Sequence, residues 1–133
     1  MAPIIGALLA ISVGLFATVV RLDRDRSFYA VVMIVIAALY SLFAVMGAST
    51  EVLVRESVIG VGFIAVTTAG FRWSLWLVAA ALAAHGVYDL THGMFFVNAG
   101  VPVWWPHFCF TYDVVAAAYL AVLLLSGRIR AAA

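Results

Sequence analysis

The sequence predicts an all-helical, polytopic transmembrane bundle of five spans, on three observations. Of 133 residues, 68% are hydrophobic and 10% are charged; a soluble domain is roughly 45–50% apolar and roughly 25% charged. The mean hydropathy is strongly positive. The apolar residues also fall into five runs separated by short polar breaks, each near the roughly 17–25 residues that a spanning helix needs. A single transmembrane domain over residues 1–133 is therefore expected.

The first span is read at 3–20 and ends at Arg21-Leu22-Asp23-Arg24-Asp25-Arg26. No basic residue precedes it and no small-x-small cleavage site closes it, so it is expected to be an uncleaved helix rather than a signal peptide. The second, 28–47, ends at Ala48-Ser49-Thr50-Glu51. The third, 52–71, is the weakest, because Arg55 and Glu56 lie near its start and Gly60, Gly62 and Gly70 lower its helix propensity. The fourth covers 73–97, a Gly/Pro/Trp segment runs from Asn98 to Pro106, and the fifth covers 107–125.

Charge sets the expected orientation. Five spans put Arg21, Arg24, Arg26, Arg72, Arg128 and Arg130 on one side and Arg55 alone on the other. The positive-inside bias then places the N-terminus outside and the C-terminus in the cytoplasm. Trp73 and Trp76 fall near the inner interface, with Trp104 and Trp105 near the outer, as an aromatic belt requires. The expected location is the cell inner (plasma) membrane, crossed several times, with the lipid bilayer as the first partner. A net charge of +1 with no lysine excludes a nucleic-acid footprint. One cysteine, Cys109, excludes an internal disulfide framework.

Ionisable groups inside spans are costly and mark functional sites by default. Here they gather on the fourth and fifth segments. In His85-Gly86-Val87-Tyr88-Asp89-Leu90-Thr91-His92, Asp89 sits about 40° from His85 and His92 about 20° to its other side. The three share one narrow stripe. Asp113 enters from the neighbouring segment at the same level, with Cys109 one turn before it on the same face. His107 is about 120° away from Asp113 and joins only at the helix mouth. Glu56 belongs to the same leaflet. Cys109 itself reads as a small apolar packer, since no basic group shares its face.

Two chemistries suit these residue types. Imidazoles and a carboxylate on one stripe can ligate a transition metal such as zinc, iron or copper, with a further ligand from the next helix; the candidate ligands are His85, Asp89, His92 and His107. Without a metal, a His–Asp pair in low dielectric can hold and pass a proton; the candidate catalytic residues are Asp89, His85 and Asp113. The expected function is an outer-leaflet His/Asp site that binds a metal or performs acid–base chemistry on a small or lipid-like molecule. The alternatives are a small proton-coupled carrier, or a non-catalytic subunit of a larger membrane complex. Polar groups that merely stitch helices together are the plainest reading. Gly6, Ala10 and Gly14 form a small-residue stripe suited to close packing inside the bundle or, less simply, to a homo-oligomer face.

Several motifs stand along the chain: Asp23-Arg24-Asp25-Arg26-Ser27-Phe28-Tyr29, Leu42-Phe43-Ala44-Val45-Met46-Gly47, Gly70-Phe71-Arg72, His85-Gly86-Val87-Tyr88-Asp89 with His92, and Gly100-Val101-Pro102-Val103-Trp104-Trp105-Pro106-His107-Phe108-Cys109 with Asp113. On these the chain resembles a family of small, uncharacterised bacterial integral membrane proteins. The resemblance implies a membrane location and brings no established activity with it.

Overall fold

Each polar break in the sequence is a place where a helix has a physical reason to stop. In the computed structural model, which describes residues 1–133, α1 (Ala2–Val20) is followed by a 3-10 turn (Leu22–Asp25), α2 (Ser27–Met46), α3 (Thr50–Arg72), α4 (Leu75–Phe95) and α5 (Trp105–Leu125). α1 stops where Arg21 turns left-handed, at φ 66°, and returns its N–H to the Ala17 and Thr18 carbonyls. α3 starts at Ser49, whose hydroxyl accepts the Val52 N–H at 3.3 Å, a side-chain N-cap. α5 opens at Trp105 rather than 107, with Pro106 in its first turn, where the missing N–H costs nothing. The fourth helix is shorter than the 73–97 expected, because Phe96 is already extended at φ −165°.

Four helices, α1, α2, α3 and α5, are long and apolar enough to cross a membrane. α4 is as long but carries His85, Asp89 and His92. Those residues do not face outward. The buried side of α4 runs Leu75, Val78, Ala79, Leu82, His85, Gly86, Asp89, His92, a continuous helical stripe whose lower half is apolar and upper half polar. Elsewhere the outer surface is apolar: Leu8 and Phe16 on α1, Val31 on α2, Val58 and Val61 on α3 and Val122 on α5 are all exposed. Soluble monomers rarely leave so much apolar surface in water.

The helices pack in a ring that is not closed. α5 lies between α1 and α4, and α3 lies between α2 and α4, with α2 also touching α4. α1 and α2 are joined by the Leu22–Asp25 turn but are not packed along their length. Between them runs a crevice of about 430 Å³, lined by apolar side chains from Leu9 on α1, Val31 to Leu39 on α2, and Trp105, Phe108, Cys109 and Tyr112 on α5.

Close approach of the helices rests on glycine. The stripe of Gly6, Ala10, Gly14 and Ala17 is buried and faces α5: a Cβ on Gly6 would strike the Phe108 carbonyl, and one on Gly14 would lie 3.0 Å from the Tyr119 ring. Thr111 of α5 also donates to the Pro3 carbonyl at 2.8 Å. The stripe is therefore used inside the chain. At the opposite seam a Cβ on Gly60 of α3 would lie 2.8 Å from the Ala37 carbonyl of α2. Gly62, two residues on, has nothing within 4 Å.

Gly6→Ala and Gly60→Ala are expected to destabilise the purified protein by about 1–3 kcal/mol, read as a lower midpoint of thermal unfolding in detergent. Gly62→Ala is expected to be neutral or slightly stabilising.

Candidate functional site

The polar half of the α4 stripe meets residues from α2, α3 and α5 in the half of the bundle that holds the 47–49 and 96–104 connections. Two linked clusters result. In the first, His85 Nδ1 lies 2.7 Å from Asp113 Oδ2 and 3.5 Å from Asp89 Oδ2. With a proton on Nδ1, the imidazole donates to Asp113 and faces Asp89 with the same hydrogen. The Cys109 thiol faces Asp113 Oδ1 at 3.9 Å. His85, Asp89, Cys109 and Asp113 are all buried, and one ligand atom from each lies within 4.8 Å of the others.

Asp89 is the under-supported member. The Tyr40 hydroxyl of α2 donates to its Oδ1 at 2.7 Å, but its Oδ2 has no hydrogen-bond partner although the residue is only 1% exposed. A carboxylate oxygen out of water without a donor is among the more costly features a fold can hold. Two carboxylates and one imidazole share this small volume, so a proton or a cation is needed to balance them.

In the second cluster both oxygens of the carboxylate have partners. Glu56 Oε1 lies 2.6 Å from His92 Nε2 and accepts from Asn98 Nδ2 at 2.8 Å, and its Oε2 accepts from the Tyr88 hydroxyl at 2.9 Å. Asn98 also donates to the Tyr40 carbonyl at 3.1 Å, which ties the segment after α4 to α2 and α3. A network that engages both oxygens of a buried carboxylate rigidifies what it joins. Tyr40 connects the two clusters: its hydroxyl reaches Asp89 while its ring stacks on His92, centroids 4.4 Å apart at 21°.

The sequence-predicted residues divide accordingly. His85, Asp89 and Asp113 come together. His92 shares their stripe but is turned to Glu56, so it lies outside the group that could hold an ion with His85 and Asp89. His107 is exposed at the start of α5 and joins neither cluster, in keeping with its angular distance from Asp113. Cys109, expected to be a packing residue, stands among the potential ligands and also lines the α1–α2 crevice. The sequence reading missed Tyr40, Tyr88 and Asn98. Tyr88 was legible, since it lies four residues before His92 and shares its face of α4; Tyr40 was not, because nothing in the sequence aligns it with Asp89 across two helices.

No family model, no curated protein and no solved structure matches the chain. The functional reading therefore rests on the site itself.

Loss of the Tyr40 donor tests how much Asp89 depends on it. Tyr40→Phe removes the only hydrogen bond to Asp89 Oδ1 and is expected to cost about 1–3 kcal/mol. In an Asp89→Leu background the same change should cost distinctly less, because the acceptor that needed the donor is gone. A double-mutant cycle on unfolding in denaturing detergent measures the coupling.

Proposed function

We propose that the chain is a five-span integral membrane protein whose buried His85–Asp89–Cys109–Asp113 cluster holds a transition-metal ion and acts on a lipid-like molecule. The observation that carries this reading is the orphaned Asp89 Oδ2, 3.5 Å from His85 Nδ1 within a buried set of four potential ligand atoms. A cation at that point would give the free oxygen its partner and balance the two carboxylates. One imidazole, one thiol and two carboxylate oxygens are donor types that zinc accepts, with iron and copper as competitors. Metal–ligand bonds of about 2.0–2.3 Å in a tetrahedral set require the widest ligand pairs, within 4.8 Å, to close in and the His85–Asp113 pair at 2.7 Å to spread. The His85–Asp113 hydrogen bond would open as the ligands lost their protons to solvent.

Access favours a lipid-like partner over a small polar one. The α1–α2 crevice is lined by apolar side chains, and Cys109 is where it meets the cluster. An acyl or isoprenoid-like chain fits such a lining; a hydrated solute does not. The unclosed ring leaves that entrance open toward the bilayer.

The inward polar face of α4 supports counting it as the fifth span, since spans carrying ionisable groups turn them into the bundle. With that count the N-terminus lies outside, the C-terminus lies in the cytoplasm of a bacterial inner membrane, and both clusters sit in the outer leaflet.

A second reading has its own observation. The 2.7 Å contact between His85 and Asp113 is the geometry of a carboxylate-oriented imidazole, which can serve as a metal-free general acid or base.

Elemental analysis of protein purified from native membranes separates the two. About one equivalent of metal is expected in the wild type, with tenfold or greater loss in His85→Ala and Asp113→Ala. His92→Ala and His107→Ala are expected to keep it. Metal-free protein that is active and loses activity in His85→Ala would replace the metal reading with acid–base chemistry. For the topology, a reporter fused after Arg130 should be cytoplasmic; an extracytoplasmic signal would overturn the orientation.

A further inference from the structure

We propose that the basic cavity at the opposite end of the bundle is a binding site for the phosphate group of a phospholipid. The cavity has a volume of about 630 Å³ and is walled by Thr18 of α1, Asp23 and Arg24 of the Leu22–Asp25 turn, Arg26 after it, and Arg128 and Arg130 after α5. Four guanidiniums thus face one carboxylate. That volume lies in the range, roughly 300–1,000 Å³, of cavities that enclose a ligand.

The arginines are not neutralised within the chain. The sole arginine in an ion pair is Arg55, with Glu51 at the far end. The two local acids are otherwise occupied: Asp23 Oδ2 accepts from the Thr18 hydroxyl at 2.7 Å, and Asp25 Oδ1 accepts from the Ser27 hydroxyl at 2.8 Å. Arg26 is a wall rather than a ligand. It donates to the Arg130 carbonyl at 2.5 Å, the Ala131 carbonyl at 2.8 Å and the Phe71 carbonyl at 3.0 Å, which fixes the segment after α5 against the end of α3. Arg24, Arg128 and Arg130 are left exposed around a space held open by this clamp. Gathering like charges without a counter-ion is unfavourable; an anion that takes several guanidiniums at once reverses the sign. Phosphate suits the fork geometry of arginine.

The surroundings favour a lipid as the source of that phosphate. Val19 and Val20, in the turn of α1 next to Thr18, are 78% and 46% exposed, and Leu125, just before the Gly127–Arg130 wall, is 78% exposed. Apolar side chains beside a basic cavity offer acyl chains a surface directly below the headgroup.

Native mass spectrometry of the full chain in detergent tests the site, with phosphatidylglycerol and inorganic phosphate as probes. One phosphatidylglycerol is expected to bind. Arg24→Gln/Arg128→Gln should weaken it roughly 30-fold, at about a fivefold loss per basic residue. Arg72→Gln, which removes a basic residue of the same end from outside the cavity, should change affinity less than threefold. Helicity by circular dichroism shows that both variants remain folded. Displacement of the lipid by millimolar inorganic phosphate would support the phosphate site and assign it to soluble phosphate compounds. Unchanged binding in the double variant, or an equal loss in Arg72→Gln, would overturn the proposal in favour of diffuse surface charge.

Discussion

Three carboxyl groups, Glu56, Asp89 and Asp113, lie at 1%, 1% and 0% exposure inside a bundle of largely apolar helices, and their need for donors governs how its upper half is arranged. Each draws partners from a helix other than its own: His92 and Tyr88 of α4 to Glu56 of α3, Tyr40 of α2 to Asp89 of α4, and His85 of α4 to Asp113 of α5. Individual polar contacts between helices in a bilayer contribute little, about 0.6 kcal/mol on average. The penalty for leaving a buried carboxylate without a donor is several times larger. The acids therefore constrain the geometry more by what they forbid than by what they contribute. Any rearrangement of α2, α3 or α5 against α4 strands at least one of them.

The two clusters answer that constraint differently. Around Glu56 both oxygens are engaged, and Asn98 carries the connection out to the segment that caps the bundle. Around Asp89 one oxygen is left free, and the thiol and carboxylate of α5 close the space beside it. A carboxylate with donors on both oxygens suits a structural joint, whereas one with a free oxygen suits a place where a proton or an ion is held. Tyr40 touches both, so the rigid cluster positions the ring whose hydroxyl supports the incomplete one. The unpacked α1–α2 seam leaves an apolar crevice that reaches Cys109.

The ends of the bundle are unlike. At the carboxylate end three acids are buried, and the exposed Arg55 is paired with Glu51. At the other, arginines stand exposed, and the one that is fixed, Arg26, is held by three backbone carbonyls rather than by an acid. Its backbone is left-handed, at φ 69°, an uncommon state for a residue with a Cβ; the three hydrogen bonds give the surrounding structure a reason to retain it.

Local pattern determined much of this protein. Run length and polar breaks sufficed for the helices, because hydrophobic content and breakers act within a few residues of one another. Helical periodicity put His85, Asp89 and His92 on one stripe, and the alternation of helix direction brought Asp113 and Glu56 to their level. The small-residue stripe of α1 announced a close contact without naming α5 as its partner. Only the tertiary structure decided how the stripe is shared. A 60°-wide stripe is broad enough to face two neighbours, and the packing of α3 and α5 on either side of α4 divides it, His92 going to Glu56 and His85 to Asp113. Tyr40 joined for the same reason: rotation of a helix about its own axis sets what a side chain meets, and no sequence spacing within one helix fixes that rotation against another. Asn98 reaches Glu56 and the Tyr40 carbonyl from the connection after α4, whose path the packing of the helices sets.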